Sequence, residues 1–531
     1  MRKFSSYGPI DKDLHYYVPR KELIDTANNQ LLGKTPDKKG GHYITVWAPR
    51  QAGKSWVMQQ ILWDLQKDER FHVLKLNLEH LKMTKDPDRI VRDIAGSIIR
   101  ELGIQNVSVN VLDDFHTLFS NCNLDKPLVL IMDEFDALAE DAISGIVGVF
   151  RNIYNHRQDD PNPSFKKKYL LHSVALIGVR SVLGIENTKG SPFNVQRSLH
   201  IPNLDFEEVE SMFKWYENES GQKVDQDVID RIFYEAQGQP GITSWIGELL
   251  TETYNNEPDR PISMRRFDIA YAHATDILPN SNIINIISKA IQEEPCKNLI
   301  LKLFRTERKL PFKYDNPIIN FLYMNGVIDF ETEDETNFFA RFPCPFIQKR
   351  LFNFFAYELF DEMGRLREPF EDISDTITKD SLNIRKLMHR HEQHLIKNKN
   401  WMLKDAPRRK DMRIFEAVFH FNLFRYLCDF LDMKEAKVYP EFPTGNGRVD
   451  IIIEYAGQIY ALEVKSFADQ SKYAQALEQA AQYGKQLHLS EISLVFFIEY
   501  IDDKNREVFE KDYEDEETGV IVKPVFVETG E

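Results

Sequence analysis

Two sets of residues in this chain have the types and spacing that phosphate chemistry requires. The first closes the stretch HYITVWAPRQAGKS at residues 42–55. Loop amides and a helix N-terminus offer N–H groups to a triphosphate, a lysine reaches its outer phosphates, and a serine hydroxyl ligates Mg2+. Arg50, Gln51, Ala52, Gly53, Lys54, Ser55 and Trp56 are therefore the candidate phosphate-binding residues. Against the pattern GxxxxGK[ST] the first glycine is Ala48, a departure at one position. Further along, the apolar run LVLIM at 128–132 ends in Asp133 and Glu134. An acid at the C-terminal end of a central strand can hold the Mg2+ shell, and the next can polarise an attacking water. The second set is Asp450 with Glu463, Val464 and Lys465. Two carboxylates and the Val464 carbonyl are hard oxygen ligands suited to Mg2+, with Mn2+ as an alternative. Lys465, two residues after Glu463, points to the same face of a strand, where it can orient or help deprotonate a metal-bound water.

The surrounding elements decide whether such residues meet. Residues 43–48 read as a buried strand, and the helix that follows the Gly-Lys-Ser carries Met58, Ile61 and Leu62 on one face. Strands at 42–48, 71–77, 127–132, 169–178 and 197–201 alternate with helices at 54–67, 87–102, 109–120 and 141–156. That alternation implies a parallel sheet covered by helices on both faces. Pairing the loop with the acid-ended strand makes this part a P-loop NTPase. Arg180 follows the fourth strand, where it either reaches a γ-phosphate or remains a surface arginine. The segment before the first strand, HYYVPR ending at Arg20, is placed beside the nucleotide base.

Residues 205–254 read as helical with a break at GQPG, 238–241, which includes Pro240 and is ordinarily a turn. Residues 282–360 read as three helices and a hairpin, a winged-helix pattern. Its third helix, PIINFLYM, is apolar and the hairpin turn carries Glu331, Glu333, Asp334 and Glu335, so it suits intramolecular packing better than DNA reading. From 385 to 413 ten Lys/Arg face three Asp/Glu. That excess is either a solvated helical face or a contact to a phosphate backbone. The last segment reads α-β-β-β-α-β, with Glu416 in its first helix, a two-residue turn at Ala456-Gly457, and Gln479 and Tyr483 in its second helix. The acidic tail 502–517 is a solvated surface or a DNA-mimicking plug.

The 531 residues carry a net charge of −16, so any contact to nucleic acid must be local. Four scattered cysteines without CxxC spacing suggest reduced thiols. No 18-residue apolar run and no leader-like N-terminus occur, so the expected location is cytoplasmic with no membrane partner. The expected fold is an α/β multidomain chain. Its parts are a P-loop ATPase core (1–203), a helical lid (204–280), a winged-helix-like module (281–364), a basic connector (365–412) and a restriction-endonuclease-like α/β domain (413–531).

Two family resemblances rest on these residues. APRQAGKS, LVLIMDEFD, LIGVRS, SPFNVQR and GQPG, with GPIDKDLHYYVPR near the start, resemble the AAA-like, archaeal-type branch of the STAND ATPases over residues 7–350. That resemblance implies that Arg180 senses the γ-phosphate and that Pro240 packs on adenine in the lid. Residues 411–500 resemble the PD-(D/E)xK nuclease superfamily. Asp450, Glu463 and Lys465 stand for its motif, Glu416 for the first-helix acid, and Gln479 with Tyr483 for QxxxY; Val449 replaces the usual proline. Together they imply an ATP-binding, ATP-hydrolysing switch that controls a Mg2+-dependent phosphodiesterase, a DNA nuclease, in defence or mobile-element biology. Nucleic acid is the implied partner, with a homo-oligomer or a protein partner also open. The alternative is a STAND-type signalling scaffold whose nuclease-like domain binds nucleic acid or a protein without cutting.

Overall fold

The computed structural model describes the chain except for Pro9, residues 38–39, Arg50, residues 179–195, 305–308, 433–435, 442–449 and 468–469, and Glu531. The side chains of residues 196, 197, 441, 450 and 471 are likewise outside the description. Two compact units emerge: residues 1–274 with 315–326, and residues 275–314 with 327–531.

In the first unit β1 (Tyr43–Trp47), β2 (His72–Asn77), β3 (Leu128–Asp133), β4 (Leu171–Gly178) and β5 (Gln196–His200) form an all-parallel sheet in the order β2-β3-β4-β1-β5. This sheet with its helices is a P-loop NTPase fold. β3 is buried along its whole length, which is why it reads as one apolar run. Helices α1 (Lys21–Leu32) and α2 (Lys54–Leu65) cover the face carrying Ile44, Val46, Val129 and Ile131. Helices α3 (Pro87–Leu102) and α4 (Glu140–Asp159) cover Leu128, Leu130 and Met132 on the other. Where the sequence suggests an α-helix at 109–120, the chain makes a 3₁₀ helix, Leu112–Phe119. Phe115 and Leu118, both fully buried, recur at three-residue spacing, which suits that tighter turn.

The lid comprises α5 (Phe206–Ser220), α6 (Gln226–Ala236), α7 (Pro240–Glu248) and α8 (Met264–Asp276). A capping box of Asp205 and Glu208 starts α5. The N-terminal segment packs onto this helix, with Phe4 stacked on Phe213 at 4.8 Å and Tyr16 edge-on to Trp215 at 5.6 Å.

The second unit opens with α9 (Ser281–Ala290), α10 (Glu294–Leu303) and β6 (Leu310–Pro311). The next helix, α11 (Pro317–Met324), belongs to the first unit, after which β7 (Asp329–Thr332) and β8 (Phe338–Arg341) complete a three-stranded sheet with β6. Then come α12 (Pro345–Leu359), α13 (Ile384–Met402), α14 (Glu416–Leu431), β9 (Lys437–Glu441), β10 (Asp450–Tyr455) and β11 (Gln458–Ser466). They are followed by α15 (Gln470–Gln486), β12 (Glu491–Ile498), α16 (Asp503–Phe509), β13 (Tyr513–Glu514) and β14 (Ile521–Glu528). The six strands lie in the order β13-β14-β12-β11-β10-β9. Ala476, Leu477, Ala480 and Ala481 of α15 pack on one face, against Ala461, Leu494 and Phe496. Phe419 of α14 stacks on Phe497 on the opposite face, where His391 of α13 also meets that ring. The charged stretch after residue 384 is therefore a helix with a buried stripe of Ile384, Leu387, Met388, His391 and Leu395. Among the described residues no helix is long and apolar enough to cross a membrane.

Candidate functional sites

At the end of β1 the loop turns into α2 through Gly53, whose φ of 85° is left-handed and so favours glycine. A Cβ there would meet nothing within 4 Å among the described residues, at the N-terminus of α2, whose first amides face outward from the helix. Ala48 has no positive φ, which explains why alanine is tolerated at the pattern's first glycine. Lys54 is only 8% exposed and folds back so that its Nζ donates to the carbonyls of Ala48 and Pro49, each at 2.9 Å. Ser55 is exposed in the first turn of α2, and Ala52 is buried.

The register of the sheet brings the acids to the same end. Trp47 pairs with Gly178, and Met132 with Leu176, so β1, β4 and β3 finish together. Asp133 is 3% exposed, and its Oδ1 accepts the Glu134 N–H at 3.2 Å. Glu134 adopts a left-handed conformation (φ 56°, ψ 38°), a strained state for a non-glycine residue that clusters at functional sites. Burial, then the nearby Asp136, pushes its carboxyl above the usual range, while Lys54 opposes the shift.

Gln51 ties the loop to two other segments. Its carbonyl accepts the N–H of Gly241 at 3.1 Å, and its Nε2 donates to the Ser6 carbonyl at 3.3 Å. A Cβ on Gly241 would lie 2.4 Å from Gln51 Oε1, so only glycine allows this approach. Pro240, at the first turn of α7, thus starts a helix seated on the phosphate loop. Helix α11 seats there too: Gly326 lies against Pro49, and Tyr323 is edge-on to Trp47 at 5.8 Å. Trp56 is buried beside Tyr17 at 4.8 Å, and among the described residues its Nε1 has no hydrogen-bond partner. Arg20 donates to the carbonyls of Pro202 and Asn203 at 2.6 and 3.0 Å. Arg50 and Arg180 lie outside the described residues. Sequence reasoning missed Lys75, whose Nζ is 3.0 Å from Asp133 Oδ2; a lysine within the strand HVLKLN was the available signal.

In the second unit β10 and β11 form a hairpin through Ala456 and Gly457, both with positive φ as a two-residue turn demands. Asp450 pairs directly with Glu463. Glu463 shares a face with Ala461, and hence with α15. It is 2% exposed, and among the described residues neither carboxylate oxygen accepts a hydrogen bond. Lys465 Nζ lies 2.8 Å from Glu463 Oε1, off hydrogen-bond alignment, and donates to Gln479 Oε1 at 2.9 Å. Tyr483 is half-buried against the core beneath α15. Glu416 opens α14 on the other face, its Oε1 3.9 Å from His420 Nε2. Among the described residues no three His, Cys, Asp or Glu side chains are grouped to hold a metal, and the Asp450 side chain is not among them.

A family described as an AAA-like domain matches residues 5–245, which span the sheet, the phosphate loop and the lid as far as α7. No curated protein matches the chain. Among solved structures, the Walker-type ATPase PABY2304 of Pyrococcus abyssi is 12% identical, covering 66% of this chain and 99% of its own at a TM-score of 0.44. The Aeropyrum pernix ORC2 protein is 14% identical, covering 66% and 97% at 0.38. The Thermotoga maritima RuvB Holliday junction branch migration motor is 13% identical, covering 52% and 76% at 0.33. Likenesses this loose define no function.

Proposed function

We propose, with an AAA-like P-loop ATPase domain over residues 5–245 as the premise, that this chain is an ATP-dependent switch controlling a Mg2+-dependent phosphodiesterase that acts on nucleic acid, DNA in particular. In the first unit the amides of residues 51–55 would receive the phosphates. Lys54 would exchange the carbonyls of Ala48 and Pro49 for phosphate oxygens, as the charge of a triphosphate favours. Ser55 and Asp133 would hold Mg2+, and Glu134, its proton affinity raised by burial, would accept the proton of the attacking water. Arg180 would read the γ-phosphate. Pro240, on a helix already bound to Gln51, would contact the base and carry the nucleotide state into the lid.

A single observation supports the second activity. Glu463 is a buried carboxylate whose oxygens accept no hydrogen bond from the described residues, and it is paired in register with Asp450. The Lys465 ammonium, 2.8 Å from Oε1, offsets one charge, and a second acid at the paired position favours a further cation. Asp450, Glu463 and the Val464 carbonyl would hold the ion. A divalent ion bound there supplies a low-pKa water and charge for a pentavalent phosphate. Lys465, oriented by Gln479, would position that water, with Tyr483 supporting from α15, whereas Glu416 opens α14 on the opposite face of the sheet. The basic run at 408–410 would follow the phosphate backbone.

The test is cleavage of single-stranded DNA, duplex DNA and RNA by the full chain with Mg2+ or Mn2+, with and without ATP. Wild type should cut, and Glu463→Gln and Lys465→Ala should each lose at least about 100-fold. If wild type cuts nothing, the chain is a switch or scaffold that binds nucleic acid or a protein without cutting.

A further inference from the structure

Strand β2 is the edge of the ATPase sheet, and Lys75 is the one charged residue fixed within its apolar middle, VLKL. Asn77 pairs with Asp133 across the β2–β3 ladder. Side chains alternate along a strand, so Lys75 and Asp133 share the face that α2 covers, the face of Val73, Val129 and Ile131. A lysine is long enough to span the two-residue offset, and its Nζ stands 3.0 Å from Asp133 Oδ2. The pair is largely dry, with side-chain exposures of 17% and 4%. Both Asp133 oxygens are thus engaged, Oδ2 by this ammonium and Oδ1 by the Glu134 N–H.

A structural ion pair alone would be a weak choice here. Well-packed apolar residues commonly do as well as a buried pair, and β2 already supplies them. What sets this pair apart is that its acid is the candidate Mg2+ ligand, and that Glu134 and Asp136 crowd the same strand end. We propose that Lys75 is the resting counter-cation of Asp133. It neutralises the carboxylate while the loop is empty, and it opposes entry of a divalent ion that arrives without a triphosphate. Metal binding then becomes conditional on nucleotide, because only phosphate charge offsets the repulsion from Lys75. This inference rests on the ATPase reading for the identity of the ligand.

The test uses the full chain carrying Glu463→Gln, so that the second candidate metal site does not contribute. Free Mn2+ is titrated by electron paramagnetic resonance without nucleotide, and a fluorescent ATP analogue is titrated at varied Mg2+. Lys75→Met, and Lys75→Gln should the first variant fold poorly, should bind Mn2+ at least about ten-fold more tightly in the empty state than the Lys75 parent. The Mg2+ needed for half-maximal analogue binding should fall by a similar factor. Lys75→Arg should behave as the parent, and Asp133→Asn should erase the gain. Unchanged or weaker metal binding in both Lys75 variants would overturn the proposal. A parent protein that binds no analogue would sink the ATPase reading, while the Mn2+ titration would still decide the role of Lys75.

Discussion

Acid should loosen the second unit, and two buried histidines set by how much. His391 and His420 are fully buried between the sheet and the helices α13 and α14. His391 Nε2 meets Asn422 Oδ1 at 2.9 Å, whereas among the described residues neither ring nitrogen of His420 has a hydrogen bond. Burial lowers their pKa values from 6.5 to about 4 and about 3. Below pH 6.5 the unfolded chain takes up both protons while the folded chain refuses them until those lower values. Stability is therefore complete above pH 6.5 and is lost as pH falls towards 4. At pH 5 each histidine costs about 2 kcal/mol relative to neutrality, about 4 kcal/mol together. Typical domains have only about 5–15 kcal/mol to lose. His394, lowered by burial, and Glu510, whose carboxyl is held below its usual range, act in the same direction. Hydrogen exchange of α13 and α14 peptides at pH 7 and pH 5 reads the local unfolding free energy. His420→Leu should remove about half the pH dependence at little cost, since the imidazole makes no hydrogen bond. Equal pH dependence in wild type and His420→Leu would refute the reasoning.

Lys54→Ala should weaken binding of a fluorescent ATP analogue at least about 100-fold, while Glu134→Gln should keep binding and slow phosphate release by a similar factor. Gly241→Val should drive a side chain into Gln51, and the difference in proteolysis at 255–262 between ATP analogue and ADP should then disappear. Replacing residues 408–410 with serine should weaken nucleic-acid binding and lower its salt dependence by up to about three counterions, with the chemical step intact; a full salt slope would show that this run touches no phosphate.

Much of the ATPase sheet was legible because each signal was local. An apolar run ending in Gly-Lys-Ser and another ending in Asp-Glu declare themselves, and parallel strands buried on both faces have few other readings. The hairpin turn at Ala456-Gly457 was equally plain. Less local features escaped. The buried stripe of α13, which includes His391 and His394, hides among the helix's five Lys/Arg because histidines do not read as core. Strand β14 contains Pro524, which argues against a central strand. Its outer neighbour β13 pairs only with Ile521 and Val522, so at Pro524 the strand is in effect an edge and the missing donor is tolerated. The contact of Lys75 with Asp133 needs the strand order, which no short-range pattern contains.

The two candidate centres share a physical problem and differ in how they meet it. Asp133 and Glu463 are both buried acids, and each has a lysine within 3.0 Å. An uncompensated buried carboxylate costs several kcal/mol, so a site that must release its cation needs an internal one to remain folded. Lys465 comes from the same strand as its acid, two residues on, and Gln479 holds its ammonium in place. In the proposed phosphodiesterase it would therefore stay beside a bound metal, as a group serving an attacking water must. Lys75 comes from a neighbouring edge strand, and its side chain keeps 17% of its surface exposed. A counter-ion that stays suits catalysis, and one that yields suits a switch. Exchanging the two behaviours gives the sharpest expectation: Gln479→Ala, which frees Lys465, should lower cleavage while leaving ATP binding untouched, and Lys75→Met should do the reverse to metal selectivity without altering the cleavage step itself.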